Sequence, residues 1–327
     1  MVMILSRAGA LLVGILVALV VAAPALAQGF PQKAVRIVVP YSVGLGPDVV
    51  VRAVADSLAT TWKQPVVIEN RPGASGIVAL SEVHKVGTDG HTLFVGDAGS
   101  MAVNPYLFAN LAYDPGRDFA PLSTLFRATF VIFTTGGGRF ATLAELIAAA
   151  KAKPKGVSYA SLGAGHPSQL AIEVFARAAG IDLLHVPFRE GGQTLAAVAN
   201  GDVDITVVSM NTAAGMVKAG KLKPLAVGAR ARLPDHPDVP TIVEAGGPRV
   251  EMAPWAALFA VAGTPPAVLE VVQRDVVAAL RSPPVKARIE SYGFEVLGST
   301  PRQLGDLVKA DSVLYGDLIR SGRVRPE

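Results

Sequence analysis

The 327-residue chain contains no cysteine, which removes disulfides, thiolate zinc sites, iron–sulfur clusters, thiol nucleophiles and a lipidated N-terminal cysteine together. Charge is also sparse: 17% of residues are charged against 51% hydrophobic, and mean hydropathy is +0.43. A disordered chain needs the opposite balance, so this one folds. The pI of 9.3 reflects scattered Lys and Arg with no long basic run and no interleaved aromatics, which argues against nucleic acid as a partner. No Gly-x-Ser-x-Gly elbow occurs, and His84, His91, His166, His185 and His236 form no His-x-x-x-His pair. Neither a serine nucleophile nor a metal is therefore signalled, and no cofactor is expected.

What the chain does have begins with an N-terminal leader. Arg7 precedes an apolar run from Ala8 to Ala23, followed by Pro24 and the triplet Ala25-Leu26-Ala27. This is the pattern of a secretory signal peptide over residues 1–27, leaving a mature start at Gln28 and a periplasmic location. The alternative is an uncleaved membrane anchor, since Ala8 to Ala27 is mostly apolar.

The remaining length suits about two domains. Short β-branched runs at Val35–Val39, Val66–Ile68, Thr92–Val95, Ser158–Ala160, Leu183–Val186 and Ile205–Val208 alternate with segments of helical period. That alternation predicts an α/β fold with mainly parallel strands in two lobes. Leu122–Thr135 and Trp255–Val261 are long apolar strand candidates able to carry the chain between lobes, and Pro266–Leu280, Pro284–Ser291 and Pro301–Leu318 read as helices packing back on the first lobe.

Three strand-to-helix loops are candidate binding loops, because ligands of open α/β sheets sit at strand C-terminal ends. The first runs Tyr41-Ser42-Val43-Gly44-Leu45-Gly46-Pro47-Asp48, with Pro47 suited to the first helical position. Backbone N–H groups and the helix dipole there suit an anion; Asp48 could instead cap the helix and compete, leaving a structural turn. The second is Ser161-Leu162-Gly163-Ala164-Gly165-His166, where Gly165 would let backbone approach a ligand. Ser168 stands where a dinucleotide loop needs its third glycine, and Asp182 precedes its strand, so a nicotinamide or flavin site is not supported. The third is Asp97-Ala98-Gly99-Ser100. Arg189, beside Phe188, is the one cation in these loops, either a solvated loop charge or a ligand contact.

The ordered set of short motifs resembles the Bug family of periplasmic substrate-binding proteins, the receptors of tripartite tricarboxylate transporters. The matching residues are Val38-Val39-Pro40-Tyr41, Glu69-Asn70-Arg71-Pro72-Gly73-Ala74, Asp89-Gly90-His91-Thr92-Leu93, Asn104-Pro105, Tyr113-Asp114-Pro115 and Asp118-Phe119-Ala120-Pro121. They continue with Tyr159-Ala160-Ser161, His185-Val186-Pro187-Phe188, Pro237-Asp238-Val239-Pro240-Thr241, Glu244-Ala245-Gly246, Trp255, Gly263-Thr264-Pro265 and Gly298-Ser299-Thr300-Pro301. The resemblance implies a two-lobed Venus-flytrap fold of type II kind, with 28–125 plus 254–327 as one lobe and 126–253 as the other. It implies a small organic anion, a carboxylate, bound in the cleft by a monomer that serves membrane transporter subunits and performs no catalysis. The candidate ligand-binding set is Tyr41, Ser42, Gly44, Gly46 and Asp48; Asp97, Gly99 and Ser100; Ser161, Gly163, Gly165 and His166; Phe188 and Arg189; and Ser209.

The chain departs from the family pattern at these loops. Leu45 replaces a glycine, Pro47 a hydroxyl residue, His166 and Pro167 stand where small hydroxyl residues are common, and Val208-Ser209-Met210 follows a strand after which the family often has Asp. Two rival readings share the cleft: a periplasmic sensor module docking on a signalling receptor, and an enzyme.

Overall fold

The computed structural model describes residues 29–325; the leader read over 1–27 and the start at Gln28 lie outside the described residues. No helix among the described residues is long and apolar enough to cross a membrane. The strands are β1 Val35–Val39, β2 Val66–Asn70, β3 Thr92–Asp97, β4 Phe119–Ala128, β5 Val131–Thr135, β6 Ser158–Ser161, β7 Leu184–Pro187, β8 Ile205–Val208, β9 Leu222–Val227, β10 Trp255–Val261 and β11 Phe294–Val296. They form a six-stranded sheet in the order β11-β4-β10-β3-β1-β2 and a five-stranded sheet in the order β7-β6-β8-β5-β9. Each sheet is the centre of one lobe.

Each sheet has a parallel half, β2-β1-β3 and β7-β6-β8. The mainly parallel sheets expected from the sequence are corrected to mixed ones, because β10 pairs antiparallel with β3 and β4, and β5 with β8 and β9. The reason is the route of the chain. β5 and β10 enter their sheets directly from the inter-lobe crossings, so Val131 lies beside Val208 and Ala256 beside Asp97, at the end where the parallel strands finish. The Leu122–Thr135 run is likewise two strands, divided at Thr129 and Phe130. The two crossings lie side by side, joined by hydrogen bonds from Ala128 N to Pro254 O (2.7 Å) and from Phe130 N to Met252 O (2.9 Å).

Packing follows from residue spacing. In the helix Gly46–Trp62, Val50, Val51, Val54 and Leu58 fall on one stripe and are buried against the first sheet. Each such side chain contributes roughly 1.5–3 kcal/mol when removed from water, and Leu58→Ala would cost about 2–5 kcal/mol. Lys63 ends the helix with φ 54°. The helix Pro167–Ala179 buries Ile172, Phe175 and Ala176 in the second lobe. On its other side it presents Leu170 to a first-lobe cluster containing Trp255, Leu304 and Leu318. The C-terminal segment closes the same back surface: Arg323 Nη1 donates to Ile181 O (3.1 Å) and lies 3.6 Å from Glu173 Oε2.

Candidate functional site

Strands β1, β6, β7 and β8 are each followed by a loop and a helix, and these loops meet between the two sheets. The cleft is bridged on both flanks. On one side Ser75 Oγ donates to Ala164 O at 2.7 Å; on the other Asn211 Nδ2 donates to Ser291 O at 2.7 Å. Between the bridges the cleft has two contiguous compartments that share Tyr41, Leu45, Leu162, His166 and Pro167 as walls.

The first compartment, about 510 Å³, is lined by Tyr41, Ser42, Asp97, Gly163, His166, Phe188 and Arg189 among the sequence candidates. Asp97 is held in place: its Oδ2 accepts from the Tyr41 hydroxyl at 3.0 Å and its Oδ1 from Ser100 N and Oγ, both at 2.9 Å. Burial, with the Asp97 carboxylate beside it, pushes the Tyr41 phenol well above its ordinary value, so it stays protonated and donating. Burial also pushes His166 down to about 4 against the opposing pull of Asp97, so the ring is neutral at pH 7. Arg189 is exposed to the compartment and is the one Lys or Arg in its lining.

The second compartment, about 150 Å³, has Tyr41, Gly46, His166 and Ser209 among its walls, together with Leu45, Pro47, Phe126, Phe130, Val208 and Phe294. Phe126 and Phe294 stack at 4.8 Å between centroids. No Asp, Glu, Lys or Arg lines it.

Six candidates line neither compartment. Asp48 is fully buried and accepts from Gly44 N (2.9 Å), Arg52 Nε (3.0 Å) and Asn70 Nδ2 (2.8 Å). Burial alone would raise its carboxyl, but these donors outweigh it and hold Asp48 below the usual aspartate value. Asp48 and Gly44 thus clamp the first loop to itself. Ser100 positions Asp97. Ser161 is fully buried, with its hydroxyl 2.6 Å from His185 Nε2; Gln169 Nε2 lies 3.2 Å from the other ring nitrogen, where a catalytic triad would place a carboxylate. Gly99 and Gly165 lie where the lobes touch.

In the second loop the expected anion cradle of backbone N–H groups is occupied by the chain itself, whereas the helix start at Gly46 has no side-chain cap. Leu162 N donates to Ser168 Oγ (3.2 Å), Gly163 N to Ser161 Oγ (3.2 Å), Gly165 N to Gln169 Oε1 (2.8 Å) and Ser168 N to His166 Nδ1 (3.1 Å). His166 caps the helix Pro167–Ala179, a role its position before Pro167 foreshadows. Nothing in the sequence marks Phe126, Phe130 and Phe294 as walls or His185 as the support of Ser161. Ser75, which bridges the cleft, directly follows the Pro72-Gly73-Ala74 motif, the one signal that places it near the site. No group of three or more His, Asp or Glu suited to a metal exists among the described residues.

The family model described as tripartite tricarboxylate transporter family receptor matches residues 50–323. A curated relative, a UPF0065 protein from the tcbD–tcbE intergenic region of Pseudomonas sp. strain P51, is 31% identical over 293 residues, covering 89% of this chain and 87% of the relative. Among solved structures, an R. palustris protein with adipate aligns with TM-score 0.82 and 30% identity, covering 91% of this chain and all of the other. MatC from Rhodopseudomonas palustris with bound malate aligns with TM-score 0.79 and 31% identity, covering 89% of this chain and all of the other.

Proposed function

We propose that this chain, which belongs to the tripartite tricarboxylate transporter receptor family, captures a small carboxylate in the cleft between its lobes and delivers it to membrane subunits of a transporter. The observation that carries the reading is the enclosed cleft: two lobes hinged by paired crossings, bonded to each other on both flanks, with Arg189 as its one cationic wall residue. A carboxylate beside Arg189 gains a charge-assisted contact, while the Tyr41 proton stays committed to Asp97. Relatives solved with adipate and malate support the ligand class. Exposed on the periplasmic side, the receptor would close on its ligand and present the closed surface to the transporter, a hinge motion. The candidate ligand contacts are Tyr41, Ser42, Gly163, His166, Phe188 and Arg189, with Ser209 and Gly46 in the second compartment.

Isothermal titration of the mature chain against a panel of carboxylates, with small-angle scattering of the same samples, tests the reading. Saturable binding accompanied by a smaller radius of gyration is expected; a panel with no binder would overturn it. Reconstitution with transporter membrane subunits separates delivery from sensing: ligand-dependent uptake supports delivery, and binding without uptake favours a signalling receptor as partner.

A further inference from the structure

The second compartment bears on what the ligand is, an inference that rests on the solute-binding reading above. Its walls carry no formal charge, and burial keeps His166 neutral. Each of its Ser and Thr hydroxyls already has a hydrogen-bond partner within the chain. Ser209 Oγ lies 2.8 Å from Thr212 Oγ1, Thr206 Oγ1 donates to Ala160 O at 3.1 Å, Thr194 Oγ1 donates to Glu190 O at 3.1 Å, and Ser168 Oγ lies 2.8 Å from His166 Nδ1. What remains facing the space is the aliphatic and aromatic surface of Leu45, Pro47, Val208, Phe126, Phe130 and Phe294. The sequence departures at Leu45, Pro47 and Val208 therefore converge on one wall system. Each puts hydrocarbon into it.

We propose that the ligand is a monocarboxylate carrying a ring or compact apolar group, with the carboxylate in the first compartment beside Arg189 and the apolar group in the second. The size agrees: an apolar cavity of roughly 150 Å³ is enough to accept benzene, and the second compartment is about 150 Å³. A dicarboxylate long enough to enter the second compartment would place its second charge among mainly hydrocarbon walls that carry no cation, which is unfavourable. The preference therefore runs against malate- and adipate-like ligands and towards benzoate- or phenylacetate-like ones.

The test is isothermal titration of the mature chain with phenylacetate, benzoate, malate and adipate. Binding of an aromatic monocarboxylate at least tenfold tighter than of either dicarboxylate is expected. Val208→Asp should then weaken the aromatic ligand at least tenfold. Because a charge at Val208 could disturb folding, Leu45→Asp at the more exposed cleft edge provides a second variant, expected to act in the same direction with an unchanged melting temperature. Dicarboxylates binding as tightly as or tighter than the aromatic acids, or both variants leaving the affinity for the aromatic acid unchanged, would overturn the inference while leaving the solute-binding reading intact. No binding by any carboxylate would remove both.

Discussion

Gly99 in the first lobe and Gly165 in the second are in contact across the cleft: a Cβ on Gly99 would lie 2.6 Å from the Gly165 carbonyl oxygen. In the other direction, a Cβ on Gly165 would lie 2.8 Å from Leu107 Cδ1 and 3.4 Å from Val103 Cγ1, and Gly165 has φ +73°. The glycines thus permit close approach of the lobes. The expectation that Gly165 clears space for a ligand is replaced by this one, since the nearest atoms belong to the opposing lobe.

Gly99→Ala should therefore hinder closure more than folding. Overpacking a tight contact costs typically about 1–3 kcal/mol, which an open form avoids by separating the lobes. The expected outcome is an affinity loss of roughly 5- to 150-fold with a melting temperature of the ligand-free protein near that of the parent. Scattering should show the ligand-saturated variant less compact than the parent; equal compaction and equal affinity would refute the assignment.

The two flank bridges give a milder version of the same test. Ser75→Ala and Asn211→Ala each remove one cross-cleft hydrogen bond, worth roughly 0.5–1.5 kcal/mol. Each is expected to weaken ligand binding about two- to tenfold. The bridges lie on opposite sides of the cleft and share no partner, so the double variant should show the sum of the two effects. Strong non-additivity in titration would mean that the bridges do not act as separate clasps.

Much of the polar compartment is readable from the chain, because a strand, a glycine turn and a helix start in immediate succession put Tyr41, Ser42, Gly163 and His166 at strand ends. The apolar compartment is not. Its aromatic walls come from Phe126 and Phe130 at a lobe crossing and from Phe294 in a three-residue strand, and their meeting depends on the packing of distant segments. β9 escaped for a local reason: Leu222–Val227 carries Lys223 and Pro224, which blur both hydrophobic alternation and strand propensity. The parallel expectation failed for a topological one, since nothing in the composition of β5 or β10 records the direction from which the chain enters the sheet. Similarly, the loop N–H groups look available in sequence, and only the fold reveals that Ser161, Ser168, Gln169 and His166 bond them.

Acid should destabilise the protein through its buried histidines. Burial pushes His166 and His185 each down to about 4, against about 6.5 in an unfolded chain. Between these values the unfolded state binds more protons, so stability is lost as pH falls from about 6.5 to about 4, by up to roughly 1.4 kcal/mol per pH unit for each histidine. Glu173 and Asp311 act oppositely above about pH 4.5, because burial raises both carboxyls. The comparison that isolates a histidine is therefore His185→Gln against the parent in urea unfolding at several pH values. The variant should show a shallower loss on acidification; an identical slope would rule out His185.

Asp48 is predicted to matter for stability ahead of any direct ligand contact. Asp48→Ala leaves Arg52, Asn70 and the Gly44 N–H without their shared acceptor, and loss of a buried charge-assisted bond costs about 1.5–3 kcal/mol. A lowered urea midpoint with an unchanged m-value is expected. If the midpoint stays at the parent value while binding disappears, Asp48 contacts the ligand after all.

Arg189 provides the opposite case, a residue expected to matter for binding and little for stability. It is exposed at the cleft, makes no ion pair with another of the described residues, and is the one Lys or Arg among the walls of either compartment. With the second-loop N–H groups of Leu162, Gly163, Gly165 and Ser168 already bonded within the chain, this guanidinium is the one full positive charge on hand for a bound carboxylate. A charge-assisted hydrogen bond contributes roughly 1.5–3 kcal/mol, so Arg189→Ala should weaken carboxylate binding by roughly 10- to 150-fold with an unchanged melting temperature. Arg189→Lys keeps the charge but loses the planar fork that pairs two donors with one carboxylate, and should fall between the two. Raising ionic strength should narrow the gap between parent and Arg189→Ala, because screening weakens a solvent-exposed charge contact. Equal affinities for parent, Arg189→Lys and Arg189→Ala in the same titration would return Arg189 to the role of a solvated loop charge.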